Sequence, residues 1–219
     1  MINTLLAGLT VLIIGDSHLT TPGYLITSLH DNLSAQGAQV HTVGVCGANA
    51  ADWLKVTQGT CGAAERRGKG EIQLKGSAGA TVPIKSLIEQ DKPNLLIVVM
   101  GDTMAGYNLP SFPKTWIWQQ VTQFTKEVAS TGTTCVWVGP GWGSEGGKFN
   151  KSFARVQQTA AFLQSNVAPC TYVDSLQLSS KGQWATTDGQ HYTFPAYKQW
   201  GDALGKTIVD LPSVKALKR

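Results

Sequence analysis

The chain has 219 residues, 42% hydrophobic and 15% charged, with a formal net charge of +4. That length can bury a substantial core, and that composition is globular rather than disordered. Its densest basic groups, Glu65-Arg66-Arg67-Gly68-Lys69 and the tail Lys215 to Arg219, have no interleaved aromatics of the kind single-stranded nucleic acid sites use, so no nucleic-acid partner is expected. No run reaches the length of a membrane-spanning helix. Residues Met1 to Ile14 are apolar but lack a basic leader and run straight into the first strand, so no signal peptide is expected there.

That strand is Thr10-Val11-Leu12-Ile13-Ile14, a short apolar run closed by Gly15-Asp16-Ser17. Such a run bounded by turn residues predicts a buried parallel strand. Ligands of open α/β sheets bind at the carboxyl ends of their strands, which makes Ser17 a candidate nucleophile. The bland alternative is that Asp16 and Ser17 are only turn or N-cap residues.

Leu25, Ile26, Leu29 and Leu33 recur at helical spacing within Tyr24 to Gln36, and Gly37 closes that helix. Gln39 to Val45 predicts a second strand, followed by a small-residue turn through Gly47 and a short helix over Ala50 to Val56. Residues 57–82 are glycine-rich and polar; they read as an insertion or flap, with a hairpin pairing Glu71–Leu74 with Ala80–Val82. A helix over Ile84 to Gln90 precedes a third strand, Asn94 to Met100, apolar throughout as a strand buried on both faces should be. Then come a helix over Trp116 to Ser130, a strand over Thr133 to Val138, a helix over Asn150 to Ser165, a short fifth strand from Cys170 to Val173, and a last helix from Pro195 to Ile208. Strands alternating with helices predict an α/β fold: one domain over 1–219, a doubly wound five-stranded parallel sheet with helices on both faces.

Cys46, Cys61, Cys135 and Cys170 lack zinc-site spacing, so no metal is expected. Two disulfides, which imply an oxidising compartment, and four buried thiols are equally open readings. A serine needs a base to become a nucleophile, and histidine is the natural one near neutral pH. His30 falls on a helix, His41 on a strand, and His18 adjoins Ser17 and points elsewhere. His191 alone follows an acid by three residues, in Asp188-Gly189-Gln190-His191, a spacing that lets the acid fix the imidazole tautomer. Trp142, in a glycine-rich loop at a strand end, is the better candidate to stack on a bound ligand. Trp116 and Trp118 read as helix packing, and Trp184 is a further aromatic.

Gly15-Asp16-Ser17 near the start, Gly47 after the second strand and Asp188-x-x-His191 near the end resemble the SGNH/GDSL hydrolase superfamily over nearly the whole chain. The resemblance implies a flavodoxin-like sheet, Ser17 as nucleophile and oxyanion donor, Gly47 as a second donor, and Asp188 with His191 completing a triad, with no cofactor. One block departs: the family's Gly-x-Asn-Asp is here Gly101-Asp102-Thr103-Met104, placing Thr103 where the oxyanion asparagine stands, with Asn49 and Asn108 as substitutes from neighbouring loops. The stretch Asp188 to Thr193, with Tyr197 and Trp200, is similar to the branch that O-acetylates exopolysaccharides such as alginate and bacterial cellulose. That implies an acetylated polysaccharide substrate, an acetyl-donor protein of a membrane complex as partner, and a periplasmic or secreted location, a cytoplasmic one being the alternative. A generic small-ester or lipid esterase and a catalytically weak carbohydrate-binding relative are the competing readings.

Overall fold

The computed structural model describes residues 4–218; Met1 to Asn3 of the apolar N-terminal stretch and Arg219 of the basic tail lie outside them. Strands β1 (Thr10–Gly15), β2 (Gln39–Val45), β3 (Ala63–Arg67), β4 (Gln73–Leu74), β5 (Leu95–Val99), β6 (Thr134–Val138) and β7 (Thr171–Val173) form one sheet in the order β4-β3-β2-β1-β5-β6-β7. The strands β2-β1-β5-β6-β7 are parallel and carry the order of a flavodoxin-like sheet, with its switch point between β1 and β5.

The sheet has seven strands rather than five. The extra two come from the segment expected to be a flap, and their pairing is not the expected hairpin. Ala63–Arg67 adds antiparallel to β2, from Val45 opposite Ala63 to His41 opposite Arg67, and Gln73–Leu74 then pairs with β3. Ala80 makes only an isolated bridge to Gln58. The sequence Ala-Ala-Glu-Arg-Arg lacks the β-branched and aromatic residues that mark strands. Here charge does the work: Glu65 pairs with Lys75 and His41, and Arg67 with Asp91 and Glu65.

Alternation along the central strands sends side chains to two separate cores. Val11, Ile13, Ile97, Val99 and Val136 pack under α1 (Leu25–Ala35) and α5 (Phe194–Asp210). Leu12, Ile14, Leu96, Val98 and Trp137 pack under α2 (Ile84–Asp91), α3 (Lys114–Thr131) and α4 (Phe153–Asn166). The expected helix after Gly47 is a 3-10 turn, Ala50–Leu54, capped where the Asp52 carboxylate accepts the Asn49 N–H. Both disulfides form: Cys46–Cys61, with Cα atoms 5.3 Å apart, and Cys135–Cys170, at 4.4 Å. Among the described residues no helix is long and apolar enough to cross a membrane.

Candidate active site

β1 delivers its last residues to the sheet's carboxyl rim, where Asp16, still extended, caps a 3-10 turn over Ser17–Leu19. The Asp16 carboxylate accepts the His18 N–H (3.1 Å), while its other oxygen is buried without a hydrogen-bond partner. Burial pushes the Asp16 carboxyl up to about 6. Asp16 therefore builds the turn, and Ser17 stands on it, 7% exposed, at the floor of a cleft of about 520 Å³.

The Asp188 segment reaches the same point from the far end of the chain. Thr186 and Tyr192 bridge antiparallel, and within that tight hairpin one Asp188 oxygen accepts the N–H groups of Gln190 (3.0 Å) and His191 (2.7 Å). The other oxygen meets His191 Nδ1 at 2.7 Å, and His191 Nε2 lies 2.7 Å from Ser17 Oγ. The tight turn thus aims both ring nitrogens at once. Burial alone would raise the Asp188 carboxyl, but the donors from His191 and Gln190 hold it below its usual value. Burial, and the neighbouring His18, lower His191, favouring the neutral imidazole that can accept a proton. Tyr24 lies against one side of that ring at 6.0 Å and Phe149 meets it edge-on at 5.5 Å.

Gly47 lines the cleft with a left-handed φ of +76°, and a Cβ there would stand 2.4 Å from Thr60 Oγ1, so only glycine fits. Among the described residues nothing accepts the backbone N–H of Gly47 or of Ser17, leaving both to a ligand. Thr103 lines the cleft too, but its hydroxyl donates to the Ala48 carbonyl at 3.0 Å. Of the two asparagines, Asn49 sits outside the cleft lining, with its side-chain oxygen buried and unpaired. Asn108 is on the wall, its carbonyl oxygen taken by Asn150 Nδ2 (2.6 Å) and its amide N–H groups left over. Arg155 ties that wall down, donating to the Gly106 (2.7 Å), Ala105 and Leu109 (both 3.2 Å) carbonyls.

Trp142 is turned away from the cleft. Its ring is 9% exposed, its N–H donates to the carbonyls of Leu176 (3.0 Å) and Ser179 (3.1 Å), and Phe153 packs on it. Trp184 is likewise buried. Trp116 and Trp118, expected to pack, are 38% and 50% exposed on α3.

Behind Ser17 lies a buried polar cluster with no counterpart in the sequence reading. Asp102 meets Lys151 Nζ (2.7 Å), His18 Nε2 (2.9 Å) and the Tyr107 hydroxyl, and His18 Nδ1 meets the Tyr197 hydroxyl (2.7 Å). The side chains of Lys151 and Asp102 are both 0% exposed. Burial would raise the Asp102 carboxyl, but Lys151 and His18 hold it well below its usual value. A lysine is almost never fully buried unless paired, so a surface face is what its sequence context suggests and the pairing has no local signal. Among the described residues no group of His, Cys, Asp and Glu side chains is arranged to hold a metal.

No protein-family model matches the chain. Protein BcsX of Komagataeibacter xylinus is 44% identical over 218 residues, covering 99% of this chain and 82% of that protein. A DUF4886 family protein from Bacteroides uniformis superposes with a TM-score of 0.61 at 14% identity, covering 96% of this chain and 92% of its own. A catalytic mutant of an acetylxylan esterase from Geobacillus stearothermophilus gives 0.60 at 12% identity, covering 95% and 97%. The chain belongs to the family of protein BcsX and carries the fold of the SGNH/GDSL hydrolases.

Proposed function

We propose that this protein is a serine-dependent esterase or O-acetyltransferase acting on the O-acetyl groups of a polysaccharide. The observation that carries the reading is the continuous chain of 2.7 Å contacts from Asp188 through His191 to Ser17 at the floor of an open cleft. Ser17 Oγ attacks the acetyl carbonyl carbon as its proton passes to His191 Nε2. The bond to the leaving oxygen, the sugar's in hydrolysis or the acetyl donor's in transfer, then breaks, and His191 returns the proton to that oxygen. Water, or a sugar hydroxyl, gives its proton to His191 and takes the acetyl group, and His191 passes that proton to Ser17 Oγ as the acyl bond breaks, restoring both residues. Asp188 holds His191 in the tautomer that accepts at Nε2.

The backbone N–H groups of Ser17 and Gly47 receive the developing oxyanion. Thr103 is spent on Ala48, so Asn108, which lines the cleft with its amide N–H groups uncommitted, is the third donor in this reading. The likeness of the Asp188 to Thr193 stretch to exopolysaccharide O-acetylation proteins supports a glycan such as bacterial cellulose as substrate, with a donor protein of a membrane complex supplying acetyl. Two disulfides support a location in the periplasm or outside the cell.

The cleft wall also favours a second reading. Tyr107, Phe149 and Leu109, the last 50% exposed, give it an apolar side that a longer acyl chain can use. A series of p-nitrophenyl esters separates the two. Acetylated glycans require a rate that peaks at acetyl; a generic esterase rises through butyrate and longer chains. Faster discharge of the acetyl-enzyme by oligosaccharide than by water then distinguishes transferase from hydrolase.

A further inference from the structure

The loop 143–152, between β6 and α4, touches both halves of the site. On one side its N–H groups of Ser144 and Lys148 donate to the carbonyls of Gly189 (2.8 Å) and Asp188 (2.9 Å), and Phe149 sets its ring against His191. Gly147, with φ +71°, lies so close that a Cβ would stand 2.3 Å from the Asp188 carbonyl oxygen. On the other side, Asn150 holds Asn108 and Lys151 reaches inward to Asp102, which stands at the end of β5 beside Thr103. The loop closes on itself through paired backbone bonds between Gly146 and Lys151 (2.7 and 3.0 Å), so the Lys151 anchor fixes the backbone that clasps Asp188.

We propose that Lys151 is a positioning residue of this site, its buried ion pair with Asp102 locking the 143–152 loop and so fixing the Asp188–His191 pair relative to Ser17 and the cleft wall. A charge so placed is costly to bury, and an ammonium serving packing alone is replaceable by an apolar chain of similar length. The pair instead joins the loop after β5, the turn that holds the triad acid and, through His18, the residue next to the nucleophile. Lys151 touches no reacting atom and acts through Asp102 and the loop backbone.

The inference rests on the serine-ester reading, and the test separates the two. Parent protein and Ser17→Ala are first treated with a fluorophosphonate; failure of the parent to label overturns the ester reading without involving Lys151. Lys151→Met and the double variant Lys151→Met/Asp102→Asn, which leaves no unpaired buried charge, are then compared for labelling rate, kcat and KM for p-nitrophenyl acetate, and melting temperature. The expected result is a 10- to 100-fold fall in kcat with the labelling rate falling in step, KM within about threefold of parent, and the loss retained in the double variant even where its melting temperature recovers. Parental kcat in the double variant overturns the proposal, as does a fall in melting temperature alone. Failure of both variants to fold also counts against it, since a positioning role requires a fold that survives without the pair.

Discussion

Replacing Asp188 by asparagine isolates one contact of the site. One carboxylate oxygen accepts the backbone N–H groups of Gln190 and His191, and an amide oxygen can keep both bonds, so the turn survives. The other oxygen faces His191 Nδ1 at 2.7 Å, and there an amide presents N–H instead of an acceptor. The imidazole must then carry its proton on Nε2, the atom that should take the proton of Ser17. Loss of a buried triad acid in this way costs about 10⁴ in rate in a serine protease. The Asp188 side chain is 25% exposed, so solvent screens part of its effect. The expected loss in kcat is therefore on the order of 10³, or about 4 kcal/mol in the barrier. Melting temperature should move little, because only one of three bonds changes. The assay is steady-state hydrolysis of p-nitrophenyl acetate beside circular dichroism melting. A kcat within tenfold of parent in a folded Asp188→Asn protein refutes the tautomer argument.

Asp16 gives a pH signature. Its carboxyl stands at about 6 in the fold against an ordinary 3.8, so the stability it contributes is complete below pH 3.8 and lost as pH rises through about 6. An Asp16→Asn protein should gain on the parent over that window by up to about 3 kcal/mol, at 1.36 kcal/mol per pKa unit. Urea titrations at pH 4, 5.5 and 7 check it, and a gap that stays flat is the contrary result. Thr103→Val should leave kcat within a fewfold of parent, since the hydroxyl is committed to Ala48; a drop of about 10² would put that hydroxyl on the oxyanion instead. Removing Cys135–Cys170 as a double alanine variant opens a loop of 35 residues and should cost about 4 kcal/mol, lowering the melting temperature by about 10 °C. Activity of the folded protein should persist, because the bridge ties the starts of β6 and β7, away from the cleft.

The central parallel strands were legible because each is a continuous apolar run stopped by glycine or a small polar residue, the pattern of a strand covered on both faces. The meeting of Ser17, Asp188 and His191 was legible in part: Ser17 closes a strand at the sheet's carboxyl rim, and an acid three residues before a histidine can pair with it within one tight turn. The two added strands β3 and β4 were hidden because ion pairs rather than β propensity hold them. Trp142 was placed at the correct strand end, but nothing local tells which way a ring in a glycine-rich loop turns; here two carbonyls draw its N–H inward. Lys151 and Asp102 find each other across 49 residues, and a residue type that is ordinarily exposed gives no hint of such a pairing.

The most direct measurement is intact-protein mass spectrometry during turnover of p-nitrophenyl acetate, with peptide mapping of any adduct. One acetyl group is expected on Ser17, formed in a burst, absent from Ser17→Ala and slow to accumulate in Asp188→Asn. Turnover without an adduct on Ser17, or an adduct that survives Ser17→Ala at the parental level, contradicts it.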